Sequence, residues 1–198
     1  MPMDATALRI CFIGDSFVNG TGDEKMLGWA GRLCVQASQL GHDLTYYNLG
    51  IRGHTSTDIL QRWDEVALRL PVGYDARIVL SCGVNDTMIE GAAPHVDFDV
   101  SVQNFRELFG KMQNLPGLVV GPPPVNDPAQ NQRILTLSNA MQVEADKAGL
   151  PFVPLFDALI IDQTYLNEIA GNDGAHPQAS GYNKMAELIQ QSGQWWFS

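Results

Sequence analysis

Four short blocks of this chain hold side chains that together could form and break an acyl bond. They are Gly14-Asp15-Ser16-Phe17, Asn48-Leu49-Gly50-Ile51-Arg52-Gly53, Gly83-Val84-Asn85-Asp86 and Asp173-Gly174-Ala175-His176-Pro177. A serine hydroxyl is a weak nucleophile unless a base lies beside it and a further group orients that base. Charge growing on an attacked carbonyl oxygen needs fixed hydrogen-bond donors. Ser16 is the candidate nucleophile, His176 the base, and Asp173, three residues earlier, the orienting acid. The candidate oxyanion donors are the backbone N–H of Ser16, the backbone N–H of Gly53 and the side-chain amide of Asn85, with Gly50 as runner-up to Gly53. Each block alone has a plainer reading: a serine N-cap, a turn glycine with positive φ, a loop-ordering asparagine, a surface Asp–His pair. The ordered set is what points to nucleophilic acyl chemistry.

The remaining chemistry-bearing residues read as ordinary. Asp15 adjoins the nucleophile, so its side chain points elsewhere; bonding loop amides at a helix start suits it better than catalysis. His42, His54 and His95 carry no partner pattern, although His54 adjoins Gly53. The Gly-x-Ser-x-Gly elbow of another serine-hydrolase fold is absent, since Val79 stands where the first glycine near Ser81 is needed. The loop Gly14–Gly20 lacks the Gly-Lys-[Ser/Thr] ending of a phosphate loop, which disfavours nucleotide binding. Cys11, Cys34 and Cys82 show neither pairing nor metal spacing, and the two in apolar runs read as small buried hydrophobes.

The elements that must position these residues follow from periodicity. Leu8–Ile13 is a near-continuous apolar run, suited to a central strand covered on both faces. Trp29, Leu33, Ala37 and Leu40 recur at helical spacing before Gly41. Strands are expected at Leu44–Leu49, Ala76–Cys82, Leu118–Val120 and Pro151–Leu155. Helices are expected over Thr57–Leu70, around Val102, Phe105, Leu108, Phe109 and Met112, along Ile134 to Ala148, and around Tyr182, Met185, Ala186 and Ile189 after His176. Alternation of this kind is the pattern of parallel β with crossover helices. The expected fold is one α/β domain over residues 1–198, a three-layer sandwich with a five-stranded parallel sheet between helix layers. Ser16, Gly53 and Asn85 then each fall just past the C-terminal end of a strand, the rim where open parallel sheets bind ligands. Thr87–Val100 reads as a loop overhanging the site, and Asn19–Lys25 as its opposite wall. Trp195-Trp196-Phe197 reads as packing on its own domain, with a homodimer contact left open.

Bulk properties narrow the partners. The 198 residues suit one domain, and 45% hydrophobic with 17% charged residues is ordinary for a globular protein. A net charge of −10 without a basic run disfavours nucleic acid. The N-terminal stretch lacks a cationic start and an apolar run, and no segment is long and apolar enough to span a membrane. The expectation is a cytoplasmic protein acting on a small ester, with no metal or organic cofactor and no membrane contact.

At the four blocks the chain resembles the GDSL (SGNH) hydrolase family, whose four letters map onto Ser16, Gly53, Asn85 and His176. The resemblance spans residues 8 to 190. It implies a flavodoxin-like fold and a serine esterase with Ser16, Asp173 and His176 as triad and Ser16, Gly53 and Asn85 as oxyanion hole. An acyltransferase or thioesterase using the same site is the alternative. A non-catalytic binding module fits poorly with Ser16, Asn85, Asp173 and His176 all intact. Phe17 replaces the family's Leu at a core-facing position. Arg52, where members often carry a small residue, is a candidate substrate-binding side chain.

Overall fold

A strand apolar on both faces needs a helix layer on each side. In the computed structural model, which describes residues 7–197, β1 (Leu8–Gly14) sends Leu8, Ile10 and Phe12 to one layer and Cys11 and Ile13 to the other. The first layer holds α1 (Ser16–Asn19), α2 (Gly28–Gln39), α8 (Gln163–Gly171) and α9 (Ala179–Gln191), which contribute Trp29, Leu33, Tyr165 and Met185 among others. The second holds α3 (Ser56–Gln61), α4 (Asp64–Arg69), α5 (Phe98–Met112) and α6 (Pro128–Ala148), with Ile59, Val66, Phe105 and Met141. Burying each of these side chains contributes roughly 1.5–3 kcal/mol before the ordering cost. Residues 1–6, most of the stretch read for a leader, lie outside the described residues. Among the described ones, no helix is long and apolar enough to cross a membrane.

The sheet is parallel throughout. Its strands β2 (Leu44–Gly50), β1, β3 (Asp75–Ser81), β4 (Gly117–Val120) and β5 (Phe152–Val153) lie side by side in that order. From β1 the chain crosses to β2 on one side and returns to β3 on the other. That reversal opens a crevice beyond the carboxyl ends of β1 and β3. The register brings Gly14 level with both Gly50 and Ser81, so three strands end together and release their loops at one rim.

Several expected elements differ. The single helix expected over Thr57–Leu70 is two short helices, broken at Arg62, which is the C-cap of α3 and whose side chain bonds strand-end carbonyls. The fifth strand is only two residues long, and a short α7 (Phe156–Leu159) and α8 occupy a stretch with no assigned element. The loop Thr87–Val100 contains a hairpin, Ile89–Glu90 against Ala93–Pro94, and its last residues already belong to α5.

The C-terminal aromatics fold back on their own domain. Trp195 and Phe197 are buried, Trp195 packs 6.2 Å from Phe12 between centroids, and the Arg77 guanidinium stacks over Phe197 at 4.7 Å. All three cysteines are unpaired and buried; burial pushes the Cys11 and Cys34 thiols up to about 12.

Candidate active site

Directly after β1, Asp15 caps α1 by accepting from the Phe17 N–H at 2.9 Å. Asp15, not Ser16, is therefore the N-cap, and the Ser16 side chain is left for other work. The Ser16 hydroxyl lies 2.7 Å from Nε2 of His176. Nδ1 of His176 lies 2.7 Å from Oδ2 of Asp173. The other carboxylate oxygen, Oδ1, accepts from the backbone N–H of His176 at 2.9 Å and of Ala175 at 3.1 Å. One aspartate thus ties its own turn and holds the imidazole 160 residues away from where Ser16 enters the chain. The Phe17 ring packs against the imidazole, tilted by 37° with centroids 4.9 Å apart.

The electrostatics of the two carboxylates diverge. For Asp173, burial pushes the carboxyl up, but the hydrogen bonds from His176 and Ala175 and the imidazole charge outweigh it and hold it at about 2. For Asp15, burial dominates, the charge of Asp86 adds to it, and the carboxyl is pushed up to about 7 against the pull of the Phe17 N–H. Asp173 stays an anion beside the imidazole, whereas burial penalises the charged form of Asp15. Asp15 bonds the first turn of α1 rather than the histidine.

The oxyanion candidates line the same cleft as the hydroxyl. Ile51–His54 is a tight turn closed by the His54 N–H on the Ile51 carbonyl at 3.2 Å, and Gly53 supplies its positive φ of 83°. Asn85 opens a 3-10 turn after β3 (Asn85–Thr87) and donates one amide hydrogen to the His54 carbonyl at 2.9 Å. That bond fixes the amide plane and leaves the second hydrogen for a ligand. Gly50 is not placed this way. Its N–H is engaged by Asn48 Oδ1 at 2.9 Å, and a Cβ there would come within 2.2 Å of the Asn19 nitrogen. Gly50 is required where the end of β2 meets the backbone of α1.

Ser16, Gly53, Asn85, Asp173 and His176 line one cleft of about 520 Å³ together with Arg52. Phe17, Val84, Met88, Val125 and Ala175 supply apolar wall, and Asn126, Asp127 and Gln130 polar wall. The loop Thr87–Val100 contributes Met88 alone. Asn19–Lys25 contributes nothing to the cleft: Asp23 knots that segment by accepting from Lys25, Leu27 and Gly28 and pairing with Arg32. The opposite wall is instead the segment after β4, where Asp127 caps α6, the Asn126 N–H bonds the Gly174 carbonyl at 2.7 Å, and Asn131 grips Val125. The prolines at 122–124, which end a strand at the same rim, were the available signal for this wall.

Below the rim, buried Asp86 accepts from the Ser56 N–H at 2.9 Å, from the Ser56 hydroxyl and from the Ser101 hydroxyl at 2.9 Å. Asn104 joins through Ser56 and Thr57, so α3, α5 and the Asn85 turn are bound as one piece. Among the described residues, no three His, Cys, Asp or Glu side chains converge as a metal site.

The model of the GDSL-like Lipase/Acylhydrolase family matches residues 12–184 of this chain. No curated protein matches it. Among solved structures it is similar to a lipase/acylhydrolase from Enterococcus faecalis, at 21% identity and TM-score 0.77, covering 94% of this chain and 95% of that one. It is also similar to an acetylxylan esterase from Geobacillus stearothermophilus, at 20% identity and TM-score 0.76, covering 92% of each chain. An alpha/beta hydrolase enzyme from the metagenome of Lake Arreo shares 19% identity at TM-score 0.77, over 93% of this chain and 94% of that one. At these identities the likeness is one of fold.

Proposed function

The chain belongs to the GDSL-like lipase/acylhydrolase family and is a carboxylic ester hydrolase, and we propose that residues 1–198 form one catalytic domain working through an acyl-Ser16 intermediate on soluble, short-chain esters. The observation that carries this reading is the continuous hydrogen-bonded line from Ser16 Oγ through both nitrogens of His176 to Asp173, each link 2.7 Å. His176 Nε2 takes the hydroxyl proton as Oγ attacks the ester carbonyl carbon. Charge passes to the carbonyl oxygen, which the N–H groups of Ser16 and Gly53 and the free amide hydrogen of Asn85 receive. Collapse breaks the bond to the alkoxy oxygen, His176 returns its proton to that oxygen, and the alcohol leaves. Water then attacks the acyl-serine, His176 accepting its proton and handing it back to Ser16 as the acid departs.

The size and lining of the cleft support a small substrate. At about 520 Å³, its wall mixes the apolar Phe17, Val84, Met88, Val125 and Ala175 with the polar Arg52, Asn126, Asp127 and Gln130. Each methylene of an acyl chain gains about 0.8 kcal/mol only where such wall buries it. The acetylxylan esterase among the similar structures makes acetylated sugars a sensible first panel. A cytoplasmic location and a monomeric or homodimeric state are further expectations of the same reading.

The test is covalent labelling. A fluorophosphonate should modify Ser16 alone, and Ser16→Ala should lose about four orders of magnitude or more in turnover with an unchanged circular dichroism spectrum. Labelling elsewhere, or surviving activity, overturns the nucleophile. Products assayed with and without an added alcohol acceptor, and on a thioester, separate hydrolysis from the transferase and thioesterase alternatives.

A further inference from the structure

Arg62 is a cation in the break between α3 and α4, its side chain only 10% exposed. Its Nη2 donates to the Gly14 carbonyl and to the Leu49 carbonyl, both at 2.7 Å. Gly14 is the last residue of β1 before the Asp15-Ser16 turn, and Leu49 lies at the end of β2 before the Ile51–His54 turn. Its Nε donates to Nδ1 of His54 at 3.0 Å. Arginine has no acceptor, so that ring nitrogen must accept. The backbone carbonyl of the same His54 receives the Asn85 amide at 2.9 Å.

One planar guanidinium therefore touches the roots of all three oxyanion donors: the strand end that delivers Ser16, the turn that delivers Gly53, and the residue that orients Asn85. A capping arginine that only satisfied loose carbonyls would need none of this convergence. A fork geometry is also what fixes relative positions, where a lysine would supply a point charge.

From these contacts we infer that Arg62 is a positioning residue for the oxyanion hole, setting the distances among the Ser16, Gly53 and Asn85 donors without touching substrate. The inference rests on the oxyanion roles proposed above. Displacing preorganised donors by an ångström reduces rate up to about a hundredfold, and the loss falls on kcat because the donors act on charge present only in the transition state.

The experiment is a double-mutant cycle read on p-nitrophenyl acetate, with melting temperature and circular dichroism recorded for every variant. Arg62→Met should lower kcat about 10- to 100-fold with KM within about threefold, and Arg62→Lys should fall between it and wild type. Asn85→Ala should lower kcat about 10²- to 10³-fold. If Arg62 acts through these donors, Arg62→Met with Asn85→Ala should be far less slow than the product of the two losses. A folded Arg62→Met with near-wild-type kcat, or losses that multiply, overturns the inference while a slow Asn85→Ala leaves the oxyanion reading standing. Full activity in Asn85→Ala overturns both. Should both Arg62 variants fail to fold, His54→Leu, which removes the ring but keeps the carbonyl contacts, enters the same cycle; wild-type kcat in it overturns the inference.

Discussion

Arg52 reaches across the mouth of the cleft to Asp173, its Nη2 3.2 Å from the same Oδ2 that holds His176 at 2.7 Å. The acid of the proposed triad thus accepts from an imidazole and a guanidinium at once. Arg52 is largely exposed, with 66% of its side chain accessible, and ion pairs this wet contribute about 0–1 kcal/mol. Arg52→Ala should accordingly lower kcat/KM by no more than about fivefold on acetate esters. Because Arg52 also forms cleft wall, the same change should move the acyl-length optimum upward. A hundredfold loss on acetate would overturn the reading of this pair as a weak, solvated contact.

Replacing Asp173 by Asn removes the anion that steadies the imidazole and its tautomer. Turnover should fall by roughly 10²- to 10⁴-fold. In the wild type, kcat/KM should rise with pH to a plateau, since only neutral His176 can take the serine proton. With the Asp173 carboxyl held at about 2, its own protonation should stay invisible in that profile above about pH 4. A flat profile would assign the base elsewhere.

The buried Asp15 makes a prediction about stability. Its carboxyl is pushed from about 3.8 up to about 7, so folding favours the protonated form. The unfolded chain releases that proton at lower pH, and stability from this group is full below about pH 4 and lost as pH rises through about 7. Asp15→Asn keeps an oxygen for the Phe17 N–H and cannot ionise. The melting temperature of the wild type relative to Asp15→Asn should therefore decline between pH 4 and 7.5. A constant difference would mean that Asp15 is ionised throughout.

For acyl length, kcat/KM on p-nitrophenyl esters below their micellar concentrations should peak at two to about four carbons and fall beyond, as methylenes outrun the wall of Val84, Met88 and Val125. A maximum at eight carbons or more would refute the shallow cleft and favour lipid or acyl-thioester substrates.

Much of this was written in local sequence. Apolar runs such as Leu8–Ile13 announce a strand buried on both faces, and Ser16 and Asn85 follow such runs directly, so the rim position of each is a short-range property. The Asp173–His176 pair is legible for the same reason, being one turn of chain. What only the tertiary structure decided depends on groups far apart in sequence. A good helical pattern is broken at Arg62, whose guanidinium bonds the carbonyls of both Gly14 and Leu49, partners that lie far from it in sequence. The far wall comes from Val125 to Gln130 rather than Asn19–Lys25, since Asp23 draws that segment inward. The Gly50 amide is taken up by Asn48, a contact that favours Gly53 over Gly50 for the proposed oxyanion role. Periodicity reports which face of an element is apolar; it carries no information on which distant polar group satisfies a given backbone atom. That matching happens only when the chain is closed on itself.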